Sequence, residues 1–327
     1  MVLWLINIIN ILFIGFKPIN TGLMQYLIRI KINTIIMNED LNPCENCQDI
    51  QIKKFSPIVD YPDYDKLSAD FLRCSCGKRP LDVVMAYILK IMIEEEIVGD
   101  NATLRRNSPV PIPAFCYSTL NPQFINREAL ILIHPDFNKK VAERIFLEVP
   151  EVKGVLKGSP ADTVGIVDKD SECFEFELLS GKSDRTDILR TLIGEKITIS
   201  KDQQNTHIEV ASTTEQKLLK LYNYLQKHDF ETAVDGMCGS GAIGIFLIKY
   251  GFKKVIFNDI NPQAIKSLKN NLKLNNISEE HYEIHNTAIE DLNLPEVDLA
   301  IIDPFPNVDT ADIEDKLSNI ASNVLVI

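Results

Sequence analysis

Between residues 232 and 306 three short apolar runs each stop at a polar turn, and this arrangement constrains the fold more than anything else in the chain. Thr232-Ala-Val-Asp235 leads into a turn containing Gly239, Ser240 and Gly241. Lys254-Val-Ile-Phe-Asn258 leads into Asp259-Ile-Asn-Pro262, and Ala300-Ile-Ile leads into Asp303-Pro304-Phe305-Pro306. Short apolar runs closed by Gly, Asp, Asn or Pro read as strands buried in a sheet. Helical patterning follows the first two: Ala242 to Tyr250, then Ile265, Leu268 and Leu272 at helical spacing. Strands alternating with helices imply a parallel sheet, whose turns gather along one edge.

That edge has the chemistry of a nucleotide-type cofactor site in a Rossmann-like, doubly wound α/β fold. Gly239 and Gly241 let the backbone turn tightly and approach a ligand where a Cβ would obstruct it. The amides opening the following helix then face that ligand, with Asp235 close by. Asp259 ends the second strand, where a carboxylate accepts both hydroxyls of a ribose; a simple helix-capping role is the structural alternative. Asn261 and Pro262 suit the N-cap and first position of the next helix. Nicotinamide dinucleotides and S-adenosylmethionine (SAM) both fit such an acid. Gly239-Ser-Gly-Ala-Ile-Gly244 even supplies a formal dinucleotide pattern.

The third strand end favours SAM. Asp303-Pro304-Phe305 resembles the acidic or amide-Pro-Pro-Tyr and Asp-Pro-Phe-Gly motifs of amino-group methyltransferases. That resemblance implies a side chain and a carbonyl accepting hydrogen bonds from a flat amine, with an aromatic ring stacked on the acceptor. The chain thus resembles the class I SAM-dependent methyltransferases.

Upstream, Val152-Lys-Gly-Val-Leu-Lys157, Phe176 to Leu189 and Gly194-Glu-Lys-Ile-Thr-Ile-Ser200 are similar to one group among them. These are the archaeal and eukaryotic tRNA guanine-N1 methyltransferases acting beside the anticodon, with their wybutosine-synthesis relatives. The resemblance spans roughly residues 150–305 and implies tRNA as partner and guanine as acceptor. It breaks in places. The family's Arg-Glu-Asn-Gly is Thr191-Leu-Ile-Gly194, and its Phe-Ser-Pro-Arg-Leu is replaced around His207 to Ser212. Its general-base glutamate falls on Glu215, which reads equally as a helix-start acid. Its Asn-Leu-Pro is Asp303-Pro304-Phe305, and Asn286-Thr287-Ala288 stands where an acid is expected, putting Asn286 and Ala288 in the cofactor site.

Nearer the N-terminus, Cys44-Glu-Asn-Cys47 and Cys74-Ser-Cys76 form two close cysteine pairs. Four thiolates in two short turns suit a structural, tetrahedral zinc; four unliganded thiols in a reducing cytoplasm are the alternative. An odd total of seven cysteines speaks against a disulfide framework. After them Leu81, Val84, Met85, Ile88, Leu89 and Met92 make one apolar helical stripe, and Asn107 to Pro113 reads as an extended connector. Val2 to Phe16 is apolar but shorter than a spanning helix, and its basic residues follow rather than precede it. Residues 1–36 are therefore expected to be upstream sequence before a start at Met37, with no membrane role; a membrane anchor is the alternative. The expected organisation is a zinc-knuckle and helical module over 37–106, a β-rich α+β domain over 114–210, and the SAM domain over 211–327. Asn323 to Ile327 is expected as a fifth strand, where either the fold ends early or the sequence stops short of the usual antiparallel pair.

The chain carries 34 Lys and Arg against 46 Asp and Glu; residues 1–36 contribute three basic and no acidic groups. A balance this acidic argues against nonspecific RNA binding. It leaves room for a local patch of Lys153, Lys157, Lys182, Arg185 and Arg190, with Lys78 and Arg79 after the second cysteine pair. It also leaves open a protein side chain or small metabolite as acceptor, a 3-amino-3-carboxypropyl transfer, or a SAM-binding scaffold without turnover.

Overall fold

A computed structural model describes residues 43–48, 50–117, 124–162, 164–165, 174–209, 211–305 and 308–327, with residues 115–117 as backbone only. The upstream segment 1–36, Met37 and Pro306 lie outside the described residues. The chain divides into two compact units, 1–47 and 48–327. No helix of the described residues is long and apolar enough to cross a membrane.

In chain order the strands and helices of the second unit begin with β1 (Arg79–Pro80), α1 (Leu81–Glu94), β2 (Val110–Pro113), β3 (Phe115–Tyr117), β4 (Phe124–Ile125) and β5 (Leu130–His134). Next come α2 (Lys139–Glu148), β6 (Val152–Lys157), β7 (Glu177–Gly181), β8 (Asp184–Arg190) and β9 (Lys196–Asp202). The C-terminal part holds α3 (Ala211–Leu225), β10 (Thr232–Asp235), α4 (Ala242–Tyr250), β11 (Lys254–Asn258), α5 (Pro262–Leu274), β12 (Tyr282–His285), β13 (Leu299–Ile302), α6 (Ala311–Ser318) and β14 (Val324–Val326).

Strands β10 to β14 form one parallel sheet in the order β12-β11-β10-β13-β14. The chain leaves β10 towards β11 and β12 on one side, then returns to place β13 on the other. The polar ends of β10 and β13 therefore flank the switch point, where doubly wound sheets bind their ligands. Period-two alternation assigns each strand residue to a layer. Ala233, Val255, Phe257, Leu299 and Ile301 pack with α3, α4 and α5. Val234, Ile256, Ala300 and Ile302 pack on the other face with Ile289 and Leu317 of α6. Asn261 caps α5 by accepting from the Gln263 amide at 2.9 Å, with Pro262 at the first helical position.

Upstream, β2, β5, β6 and β7 make a mixed sheet in that order, while β3, β8 and β9 make a second. The Pro-rich stretch is extended, yet it is a strand rather than a bare connector: β2 pairs antiparallel with β5 from Val110↔Ile133 to Pro113↔Leu130. An edge position explains this, since two prolines cost no ladder bond on a side with no neighbour. α1 is nearly engulfed, sharing one core with Phe137, Val141 and Ile145 around α2 and Leu130, Leu132 and Val155 from the sheet. Two asparagines of α5 dock β9: Asn271 exchanges bonds with both the amide (2.8 Å) and carbonyl (3.0 Å) of Ser200, and Asn275 does so with Thr198 (3.0 and 2.7 Å).

The basic patch is split: Lys157, Lys182 and Arg190 are exposed, whereas three of its members are buried. Arg185, Arg79 and Lys78 are 2%, 0% and 4% exposed. Arg185 is bidentate to Asp187 at 2.9 and 2.7 Å, and Lys153 pairs with Asp184. Only matched acids and carbonyls make such burial tolerable.

Candidate functional site

A cleft of about 870 Å³ opens at the carboxyl edge of the parallel sheet, lined by Gly239, Asp259, Ala288, Asp303, Pro304 and Phe305 among others. The two glycines of its turn differ in purpose, and only Gly239 lines the cleft. Gly239 has φ +51°, and an added Cβ would meet nothing within 4 Å, so its bare backbone faces the open cleft. Gly241 has φ +88°, and a Cβ there would come within 2.3 Å of Leu268 Cδ1; it serves packing.

Asp259 is fixed by the backbone. Its Oδ2 accepts from the Gly239 amide and its Oδ1 from the Asn261 amide, both at 2.8 Å. Burial pushes its carboxyl above the usual range, against these two bonds. Each oxygen keeps a second lone pair, so a pair of ribose hydroxyls fits here. Asn286 braces the same turn, donating to the carbonyls of Asp259 (2.7 Å) and Ile260 (2.9 Å). Asn286 does not line the cleft; Ala288 does.

Asp235 sits behind the cleft rather than in its wall. It is fully buried, and its Oδ2 accepts from the Gly244 amide at 3.0 Å, which anchors the start of α4. Its Oδ1 has no partner. Burial, then the negative charge of Asp303, pushes its pKa up to about 8. The residue therefore sets the loop's position.

The acceptor end is built on a charge network. Lys217 Nζ, from α3, lies 2.9 Å from Asp303 Oδ2 and 2.5 Å from Glu209 Oε1. Burial pushes the Asp303 carboxyl up, outweighing the Lys217 ammonium beside it. Glu209 is held below the usual range: burial would raise it, but Lys201 and Lys217 win. Lys217 is held above the ordinary lysine value by the same two carboxylates, against burial. Phe305 meets His207 edge-on, with ring centroids 5.9 Å apart. Burial lowers the His207 pKa, and its Nδ1 has no hydrogen-bond partner.

Glu215 takes no part in this network. It lies two residues from Lys217 on α3, and its Oε1 accepts from the Arg190 amide at 2.7 Å, which ties the helix to the end of β8. It does not line the cleft. Glu209, Lys217 and His207 carried no local signal in the sequence: the Lys217–Asp303 pair is 86 positions apart.

In the first unit the Cys47 amide donates to the Cys44 carbonyl at 3.0 Å, and the two Sγ atoms stand 3.7 Å apart. Sulfurs bound about 2.3 Å from a tetrahedral zinc would be roughly 3.8 Å apart. In the second unit the Gly77 amide closes on the Cys74 carbonyl at 2.8 Å, and the Cys74 amide on that of Lys78 at 2.9 Å.

Sheet order, glycine turn and strand-end acids together resemble those of a class I methyltransferase domain. Residues 210–302 match the family model of ribosomal protein L11 methyltransferase (PrmA). The chain is 38% identical over 77 residues to a putative protein N5-glutamine methyltransferase of Methanocaldococcus jannaschii, covering 24% of this chain and 39% of that one. It is 32% identical over 114 residues to a tRNA (guanine(37)-N(1))-methyltransferase of Caenorhabditis elegans, covering 34% and 22%. The crystal structure of a tRNA m1G37 methyltransferase from M. jannaschii aligns at 21% identity and a TM-score of 0.39, over 59% of this chain and 55% of that one. The chain spans well under half the length of the curated relatives it matches.

Proposed function

We propose that the chain transfers a methyl group from SAM to a ring or amino nitrogen of an RNA base, a guanine of tRNA. The observation that carries this reading is the Asp303-Pro304-Phe305 turn at the switch-point end of β13, lining the same cleft as Gly239 and Asp259. Gly239 and its helix would receive the methionine portion, and Asp259 the ribose. Bound SAM would supply an electrophilic methyl group on a sulfonium. Asp303 and the Pro304 carbonyl would accept hydrogen bonds from the acceptor nitrogen, and Phe305 would stack on a flat ring. Holding that nitrogen in line with the methyl supplies much of the rate. The partial similarity to a tRNA guanine-N1 enzyme supports the RNA acceptor.

A protein acceptor is the second reading. The PrmA match favours it, as does the burial of Arg185, Arg79 and Lys78, which removes them from any RNA-binding face. Tritium transfer from methyl-labelled SAM into bulk tRNA and into total cell protein separates the two. Label in tRNA supports the first, and label in protein alone replaces it with the second. No label in either sinks both.

We also propose that Cys44, Cys47, Cys74 and Cys76 hold a structural zinc. Purified chain should then contain about one zinc per molecule by elemental analysis. A strong chelator should lower the unfolding temperature, since binding free energy is folding free energy at such sites. Metal-free protein of unchanged stability counts against it.

A further inference from the structure

We propose that Lys217 is a positioning residue which clamps Asp303 as the carboxylate that takes the acceptor's proton, with Glu209 as the clamp's second anchor. This rests on the methyl-transfer reading and assigns the proton acceptor to Asp303, away from Glu215. As the acceptor nitrogen bonds to the methyl carbon, the sulfur–carbon bond breaks and the sulfur keeps the electron pair. The nitrogen then gives up a proton to Asp303, which passes it to water. A carboxyl can accept that proton only when ionised.

Three observations place the role here. Lys217, Glu209 and Asp303 all line the cleft, whereas Glu215 does not. One ammonium lies within hydrogen-bond reach of both carboxylates, at 2.5 and 2.9 Å, so Asp303 is held in one orientation. Glu209 is fixed in turn by Thr214, whose Oγ1 donates to its Oε2 at 3.0 Å. The charged and titratable groups facing Asp303 are Lys217 on α3, Glu209 on the segment before it, Lys201 on β9 and Asp235 on β10, while His207 packs on the neighbouring Phe305. Burial and the Glu209 carboxylate favour a protonated Asp303; Lys217 and Lys201 oppose them. An opposite charge at such a distance lowers a carboxyl pKa by about 1–3 units.

The test is the pH profile of methyl transfer by the whole chain at saturating SAM, with SAM affinity measured in parallel. Lys217→Met should move the acid limb upward by about one unit or more, with SAM affinity retained, and Lys217→Arg should restore it. Glu209→Gln removes a negative neighbour and should move the limb downward. This opposite sign also keeps the idea testable if Lys217→Met fails to fold. A uniform loss of rate with the limb unmoved overturns the clamp and makes Lys217 a brace between α3 and β13. No transfer by the unaltered chain overturns the methyl-transfer reading first, and the clamp with it.

Discussion

Asp303→Ala should reduce methyl transfer by about 10²- to 10⁴-fold, the range typical for removing a positioned proton acceptor. SAM affinity should change by less than about threefold, or under ~0.7 kcal/mol. The two expectations separate because the cofactor and acceptor ends use different strands. Gly239 and Asp259 lie in the turns after β10 and β11, and their mutual bond is untouched by the substitution. Stability should hold as well. Lys217 loses one ion-pair partner but keeps Glu209, and the partly exposed position of Asp303 leaves no buried charge stranded. A transfer assay paired with a SAM-binding isotherm checks both halves. Full turnover in the variant would mean that the Asp-Pro-Phe turn is not the acceptor site. Equal loss of turnover and SAM binding would move Asp303 into the cofactor half of the cleft.

Much of this site was legible because its signals are local. A strand ending at Asp235, a glycine turn and a helix opening at Ala242 lie within a few residues of one another, as do Asp259, Asn261 and Pro262. That these units form one parallel sheet followed from their alternation of strands and helices. What escaped reading depends on docking. Asn271 and Asn275 fix where β9 sits on α5, and the segment after β9 then carries His207 and Glu209 to the cleft. Helical phase decided between the acids and bases of α3: Lys217 lies one turn from buried Thr214 and faces the cleft, while Glu215 turns to the end of β8. Charge was misread for a related reason. Lys and Arg usually mark a solvated face, but Arg185 and Arg79 are buried because carboxylates and carbonyls were waiting for them. The prolines of β2 suggested a linker, since nothing local reveals that a strand will lie on a sheet's edge.

Glu151→Ala should be the most destabilising single change, at about 3–5 kcal/mol, because it strands buried cations. Glu151 is wholly buried at the entry to β6. Its Oε2 accepts from Arg79 at 3.2 Å, and its Oε1 lies 2.7 Å from the Arg73 guanidinium. Arg79 is 0% exposed, and burial depresses its pKa against the pull of Glu151. Its remaining bonds run to the carbonyls of Ala69 (2.8 Å) and Ser68 (2.9 Å), and neither carries a compensating charge. Arg73 donates to the Gly77 carbonyl at 2.9 Å, so the loss also loosens the turn that carries Cys74. Urea unfolding of the variant gives the size of the effect. The double replacement Arg79→Met with Glu151→Leu tests its cause. If the penalty is an uncompensated charge, the apolar pair should recover much of the lost stability. If the double variant is as unstable as Glu151→Ala, the bonds to Ala69 and Ser68 hold this corner together, and the ion pair contributes little.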